Sequence, residues 1–454
     1  MAGPAYSESV SLCPQCLRRI PAVRYQFGRD VYLKKHCADH GDYQTIVWRG
    51  NPPYATWTRP KIPWRPPNPQ SPEDKGCPFD CGLCSEHRQQ TCTALIEVTS
   101  RCDLGCPFCF AGAGDHDGPD PDMSNITSRL ESLAATGIDC NIQLSGGEPT
   151  MRDDLPDITS LAVSMGFRFV QLNTNGIRLG GDPSFTEKLK AAGLSSVFLQ
   201  FDGVTEDIHR AMRGTPLQEA KTAAIEACEK NGIGVVLVPT VAPGVNDRAL
   251  GEIVRFGLKR LPTVRGVHFQ PVSYFGRYPK PPSDADRITI PEIIRALEEQ
   301  TNGLVKVGDF GPPGCENPRC SFSGTFTLMP DGELKSFSHR MDSCSCGTVK
   351  AEDGAEWARK YVAKQWRGTD CGSSDPAPDD SLSLGYWDVI LERSRTHSFS
   401  ISGMAFQDAW TAEIDRLKDC CIHVVASDGR LIPFCAYNLT NVSGRSLYRG
   451  RDHG

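Results

Sequence analysis

Nowhere in the 454 residues do about 18 uncharged apolar residues follow one another, so no membrane-spanning helix is expected. The first 30 residues also lack the apolar core of a secretory signal, which makes the cytoplasm the expected location. Positive charge is short as well: 49 Lys and Arg against 55 Asp and Glu leave a net charge of −6. No global field draws such a chain to nucleic acid or anionic lipid, and a small-molecule substrate is expected instead. Cysteine, by contrast, is abundant, with 20 residues. A 49.7 kDa chain buries enough core to fold without disulfides, so thiols at this density point to metal ligation or catalysis.

The chain reads as four stretches. Residues 1–60 hold Cys13, Cys16, Cys37 and His40 and form a zinc-ribbon or rubredoxin-like region. Residues 61–92 join a linker to a cysteine knot, GCPFDCGLCSEHRQQTC over 76–92, and the Pro- and Trp-rich run 51–72 before it resists regular helix. Residues 93–300 alternate short apolar runs with amphipathic segments, the pattern of βα units. Strands are expected at 94–99, 141–145, 167–173, 196–201, 234–241 and 266–271. Helices are expected where Ile126, Leu130, Leu133 and Ala134 share a face, and over 219–231 with Gly232 as C-cap. Such a succession predicts an α/β fold, a parallel sheet curled into a partial barrel with its ligand at the C-terminal strand ends. Residues 301–454 lose the alternation and are rich in cysteine; 368–383 reads as a loop, 409–417 as a helix, and IHVVASDGRLIPF as a hairpin turning at Asp428-Gly429.

Directly after the first expected strand stands Cys102-Asp-Leu-Gly-Cys106-Pro-Phe-Cys109. Three thiolates on one loop can hold three irons of a 4Fe-4S cube and leave the fourth iron open, hence reactive. A zinc site is the plainer alternative for three cysteines. Cys77, Cys81, Cys84 and Cys92 offer four thiolates, enough for a closed electron-relaying cluster or a zinc knot. In the N-terminal region His36 competes with His40 for the fourth position, and a few buried thiols without metal are the bland reading. Cys315, Cys320, Cys421 and Cys435 could gather another cluster, although Cys344, Cys346, Cys371 and Cys420 are equally placed. Cys420 and Cys421 must point in different directions, so one of them is expected to stay unligated. Cys140 and Cys228 fall within the strand and helix pattern as core thiols. His268 and Asp202 fall at the expected barrel mouth, where a proton donor and a satisfied core polar group are equal readings.

The cysteine loop and its setting resemble the radical S-adenosylmethionine (SAM) superfamily. That resemblance implies a partial (β/α)6 barrel carrying an N-terminal metal knuckle and a cysteine-rich C-terminal extension. It makes Cys102, Cys106 and Cys109 the ligands of a cluster that binds and reductively cleaves SAM. Phe108 matches the family's aromatic before the third cysteine. Gly146-Gly147-Glu148-Pro149 matches the element whose backbone and carboxylate hold the SAM amino group, where glycine permits close approach. Asn173 and Asn175, Gln200 and Asp202, and Gln270 stand at later strand ends where the family contacts the cofactor. Together with CPQC, GCPFDCGLC and CCIHVVASDGRLIPFCAYN, these motifs are similar to the branch containing archaeal 6-hydroxymethyl-7,8-dihydropterin methylase and tetraether lipid synthase. The resemblance covers nearly the whole chain and implies one or two auxiliary 4Fe-4S clusters, a mononuclear Zn or Fe, and a reducing partner such as flavodoxin or ferredoxin. Anaerobic methyl transfer or C–C bond formation on a small, pterin-like substrate is expected; modification of lipid chains, or a non-catalytic iron–sulfur or zinc scaffold, is the alternative. An electron carrier has no use for an aminoacyl-binding turn beside an open cluster. An RNA-modifying enzyme would bring a basic domain, which the acidic balance opposes.

Overall fold

The computed structural model describes residues 5–114, 119–337, 348–368 and 386–449. Cys344, Cys346 and Cys371 lie outside the described residues, as does the loop read at 368–383 beyond Gly368.

Eight parallel strands form the centre of the molecule. Their spatial order is Ser398–Met404, Val264–Pro271, Gly234–Val238, Ser196–Gln200, Val170–Thr174, Asn141–Gly146, Thr93–Thr99 and Ile422–Val425. The six strands expected within 93–300 are all present, and helices fall between them. The third begins at Val170 rather than 167, because the chain leaves the helix Leu155–Ser164 through Gly166 at φ +96° and needs Phe167 and Phe169 to close the core first. Residues beyond 300 enter the same sheet. Ser398–Met404 continues one side in parallel, Ser321–Leu328 and Leu334–Ser336 follow antiparallel, and the Ile422–Val425/Leu431–Pro433 hairpin extends the other side. The hairpin turns at Asp428-Gly429 with Gly429 at φ +81°.

Side-chain alternation decides what each sheet face does. Ile142, Leu144, Val170, Leu172, Val197 and Leu199 are fully buried against the helix layer. That layer presents Ile126, Leu130 and Leu133 from Met123–Ala135, and Lys221, Ala224, Ile225 and Cys228 from Gln218–Lys230. Ala134 is exposed, one position past the stripe. The residues of opposite parity, from Asn141, Gln143 and Ser145 round to His268, Gln270 and Ser402, line one cavity. A single cavity shared by successive strands means that the sheet is curled, its concave face mixing amides such as Gln143 and Gln171 with an apolar group of Phe169, Phe198, Val238 and Trp366. Its path does not close by hydrogen bonds among the described residues.

The N-terminal strands Ala5–Leu12, Arg19–Phe27, Asp30–Cys37 and Gly41–Trp48 form a separate antiparallel sheet. It docks through buried Lys35, whose ammonium donates to the carbonyls of Ala409 (2.8 Å) and Trp410 (2.9 Å). The 409–417 helix shrinks to Ile414–Lys418. Asp408 explains this: its carboxylate accepts from the backbone of Trp410 and Thr411, a turn that competes with helix. It also takes the buried Arg287 guanidinium. The 51–72 strap is irregular apart from Lys61–Ile62, which pairs with Val349–Lys350, and it buries Trp57 beside Trp48.

Candidate active site

The loop after Thr93–Thr99 is clamped by backbone hydrogen bonds from two other segments. Gly147 N–H donates to Thr99 O (2.9 Å) and Glu148 N–H to Arg101 O (2.8 Å). Cys109 and Arg277 exchange both backbone bonds, and the Arg277 side chain donates to Cys106 O (3.0 Å). Asn175 Nδ2 reaches Asp103 Oδ1 at 2.6 Å. Cys102, Cys106 and Cys109 therefore stand beside the glycine–glutamate turn, and all three line the concave cavity. Burial pushes the Cys102 thiol up to about 12, with Glu148 and Asp103 adding to the effect, so its thiolate forms only with a cation to stabilise it. The donor set suits an iron–sulfur cube: three thiols on one clamped loop, facing a cavity. Phe108 packs edge-on to Tyr274 behind the loop.

Glu148 does more than offer a charge. Its Oε1 accepts from Thr150 N–H (3.0 Å), Thr150 Oγ1 (2.7 Å) and Thr174 Oγ1 (2.7 Å), and its Oε2 from Asn175 N–H (2.6 Å). The carboxylate thus joins the ends of two strands, leaving acceptor capacity on Oε2 for a ligand. Pro149 opens the short turn Pro149–Met151 instead of lining the cavity. Asn173 lines it with a buried Oδ1 that has no hydrogen-bond partner among the described residues.

Asp202 departs from its expected place facing the ligand. It is fully buried and clamped bidentately by Arg213 at 2.7 and 2.8 Å, because an unpaired carboxylate at that depth is costly. Arg213, not Asp202, lines the cavity, and its guanidinium is within reach of the Cys106 sulfur. Gln200 lines the cavity too, yet its amide is engaged by Asp202 and Lys221. Lys221 is wholly buried; it donates to Asn175 O and to Gln200 Oε1 (2.9 Å). Burial holds its amine down to about 7. A lysine occupying the apolar stripe with Ala224, Ile225 and Cys228 was the signal in the sequence, and neither it nor Arg213 was anticipated.

The sign of its titration follows from that depression. Between pH 7 and its unfolded value of about 10.4 the unfolded chain binds the proton that the folded chain releases, so stability rises with pH across this window by at most on the order of 1.4 kcal/mol per unit. Lys221→Met should flatten this slope in denaturant titrations. It should also weaken SAM binding, since Asn175 O and Gln200 lose their donor.

The cavity, of about 380 Å³, is lined by amides and rings. Gln143 Nε2 donates to Gln171 Oε1 (2.6 Å), and Phe198, His268 and Trp366 pack with centroids 5.4 to 6.2 Å apart. His268 bonds Ser402 Oγ (2.9 Å) through Nδ1, and burial holds it down to about 4, hence neutral at pH 7. Gln270 shares this lining. Asn141, Gln143 and Gln171 were not singled out from the sequence, although polar residues alternating within apolar strands mark such a wall.

The other cysteines regroup. Cys13, Cys16, Cys37 and His40 offer donor atoms all within 4.8 Å of one another, with His40 Nδ1 3.5 Å from Cys13 Sγ and 3.4 Å from Cys37 Sγ. Those spacings suit one tetrahedral ion with metal–sulfur bonds of about 2.3 Å. His36 instead pairs with Asp42 at the surface. Removing a donor with Cys37→Ala should lower metal content by one ion and loosen the N-terminal sheet, read by metal analysis and proteolysis. Cys92 does not join Cys77, Cys81 and Cys84. It gathers with Cys315 and Cys421, again within 4.8 Å, because Cys92 N–H donates to Cys421 O at the start of the paired strands. Cys77 and Cys81 are buried close enough to raise the Cys77 thiol, with Cys84 within electrostatic reach of Cys77. Cys320 and Cys435 are drawn apart from Cys315 and Cys421: Arg416 holds Cys320 Sγ at 3.4 Å, and Cys435 lies in reach of Cys320 and Cys420. Cys420 and Cys421 point to different groups. Cys140 and Cys228 are buried in the core.

The model of the radical SAM superfamily matches residues 96–257, and that of the HMPTM N-terminal zinc ribbon domain matches residues 5–49. The 7,8-dihydro-6-hydroxymethylpterin dimethyltransferase of Methanocaldococcus jannaschii is 35% identical, covering 95% of this chain and 93% of its own. A probable GTP 3′,8-cyclase of Archaeoglobus fulgidus is 25% identical over 62% of this chain and 96% of its own length. Among solved structures, SuiB of Streptococcus suis aligns with 48% of this chain and 46% of its own at 17% identity and a TM-score of 0.39. With the clamped cysteine loop and the glycine–glutamate turn opening on one cavity, and a relative alike from ribbon to C-terminal hairpin, the chain belongs to the radical SAM superfamily of enzymes.

Proposed function

We propose that this enzyme methylates a reduced pterin held in the concave cavity. The observation that carries the reading is the cavity itself: rings of Phe198 and Trp366 for a flat heterocycle, and amides of Asn141, Gln143 and Gln171 for its polar edge. The likeness to the methanogen dimethyltransferase over nearly the whole chain supports the same substrate class.

In this reading Cys102, Cys106 and Cys109 would hold three irons of a 4Fe-4S cluster, and a cluster held there would supply the one-electron reduction of the SAM sulfonium on which the family's radical chemistry depends. The chain's own part is placement. The backbone of Gly146 and Gly147 and the free capacity of Glu148 Oε2 receive the SAM ammonium. Asn173 Oδ1 accepts from a ligand hydroxyl or amine, and Gln270 closes the far side. Arg213 and Lys221 act through Asp202, Gln200 and Asn175 as positioning residues. Neutral His268 offers a ring nitrogen without adding charge. Cys77, Cys81 and Cys84 are assigned to an auxiliary cluster fed by a flavodoxin- or ferredoxin-like reductant, and the ribbon to a mononuclear Zn or Fe. The described residues contain no helix long and apolar enough to cross a membrane; a cytoplasmic setting accords with the reduced thiols these sites need.

The test is anaerobic incubation of the reconstituted protein with dithionite, SAM and 6-hydroxymethyl-7,8-dihydropterin, followed by mass spectrometry. A pterin heavier by one or two methyl groups is expected. If 5′-deoxyadenosine forms while the pterin stays unmodified, methylation of this substrate with SAM as the methyl donor is ruled out.

A further inference from the structure

The ribbon's first knuckle, Cys13-Pro14-Gln15-Cys16, does not end in solvent. Two of its carbonyls are taken up by the segment that follows the helix Phe434–Asn438: Val442 N–H donates to Pro14 O (3.0 Å) and Asn441 Nδ2 to Gln15 O (2.7 Å). Asn441 is buried, and its Oδ1 fixes the local turn by accepting from the backbone of Ser443 (3.1 Å) and Arg445 (2.7 Å). One side chain thus holds its own turn through oxygen and the ribbon through nitrogen.

From Asn441 the contact continues to the cluster loop. Tyr278 Oη donates to Asn441 O (3.1 Å), and Gly276 N–H donates to the neighbouring Thr440 Oγ1 (2.8 Å). Between Gly276 and Tyr278 stands Arg277, which exchanges backbone bonds with Cys109 and holds Cys106 O. No slack separates this segment from the loop, since a Cβ on Gly276 would lie 2.3 Å from Cys109 O and 2.4 Å from Phe110 O. The ribbon's other anchor leads to the same place. Trp410, whose carbonyl takes the Lys35 ammonium, starts a series of edge-on ring contacts through Tyr278 and Tyr274 to Phe108, with centroids 5.9 to 6.0 Å apart. Close-packed groups of this kind pass a displacement on instead of absorbing it.

We propose that Asn441 is a positioning residue for the SAM site: it ties the order of the metal-loaded ribbon to the loop of Cys102, Cys106 and Cys109, so that emptying the ribbon weakens SAM binding. Three thiols and His40 hold the knuckle in one conformation only around a bound ion, and an ordered knuckle keeps its carbonyls where Asn441 and Val442 meet them. The inference rests on the reading of Cys102, Cys106 and Cys109 as cluster ligands and is independent of the substrate being a pterin.

The test uses the full chain, reconstituted anaerobically and reduced with dithionite, with SAM added just before freezing as the probe. Asn441→Asp keeps the acceptor that holds the turn and replaces the donor to Gln15 O by a second acceptor. Tyr278→Phe keeps the ring contacts and removes the bond to Asn441 O. Expected in each are unchanged iron, sulfide and ribbon metal, SAM binding weaker by about fivefold as read from the shift of the cluster's EPR signal, and faster hydrogen exchange across residues 102–114. Cys37→Ala should weaken binding at least as much, and Asn441→Asp should add nothing further in that background. Ser443→Ala, which alters the same turn without touching the ribbon, should match the parent. If Asn441→Asp and Tyr278→Phe both bind SAM and exchange hydrogen as the parent does, or if the effects of Asn441→Asp and Cys37→Ala add, the proposal is wrong. Failure of the cluster reading itself looks different: SAM would leave the signal of the fully loaded parent unmoved.

Discussion

Cys106→Ala protein, loaded under anaerobic conditions and given dithionite and SAM, is expected to form no 5′-deoxyadenosine above a protein-free control. Cys106 is the most enclosed of the three loop thiols, with its carbonyl held by Arg277 and its sulfur within reach of Arg213. A cube bound by only two thiolates has a second unanchored iron, and it no longer presents a single open corner to the cavity. Cys140→Ala is the control. That thiol is 2% exposed in the apolar core, and burial, with Cys92 and Asp139 adding, pushes it far up, so its loss should cost about 1–2 kcal/mol of stability and leave cleavage intact. Cleavage that survives Cys106→Ala but fails in Cys140→Ala would reverse the ligand assignment.

Gly147→Ala is expected to be nearly as severe, for a steric reason. A Cβ there would stand 2.2 Å from Arg101 O, 2.8 Å from Arg101 C and 2.9 Å from Ser100 O. These are backbone atoms of the segment that carries Cys102, and they cannot swing aside as a side chain can. The loop must move, breaking the bonds from Gly147 to Thr99 and from Glu148 to Arg101. Displacement by about 1 Å at a reacting centre lowers rates by on the order of 100-fold, and a drop of at least that size in 5′-deoxyadenosine formation is expected. Gly181→Ala meets no atom within 4 Å and should leave the rate unchanged. Equal rates for Gly147→Ala and the parent would mean that the turn does not position the cysteine loop.

The readable features of the sequence were those fixed by local periodicity. Six βα units could be placed because short apolar runs such as Asn141–Ser145 and Ser196–Phe201 alternate with amphipathic segments whose helices carry an apolar stripe. The same parity contained the cavity wall, since Gln143 and Gln171 must point opposite to Leu144 and Leu172. What local pattern could not supply was long-range pairing. Cys92 lies eight residues past Cys84, yet its neighbours are Cys315 and Cys421, brought there by a strand pair between residues more than 300 positions apart. Ser321–Leu328 and Ser398–Met404 were equally hidden, because each is defined by the strand it meets, whereas the hairpin Ile422–Val425/Leu431–Pro433 carried its own turn signal at Asp428-Gly429. The role of Asp202 stayed open between proton donor and satisfied core group for a related reason: its partner Arg213 sits on the next helix, and only the fold reveals the ion pair.

The most direct measurement is 5′-deoxyadenosine production by the wild-type protein, anaerobically reconstituted and supplied with dithionite and SAM. The arrangement of Cys102, Cys106 and Cys109 beside Gly147 and Glu148 predicts steady accumulation together with an equal amount of methionine. Protein fully loaded with iron and sulfide that releases neither product would contradict it.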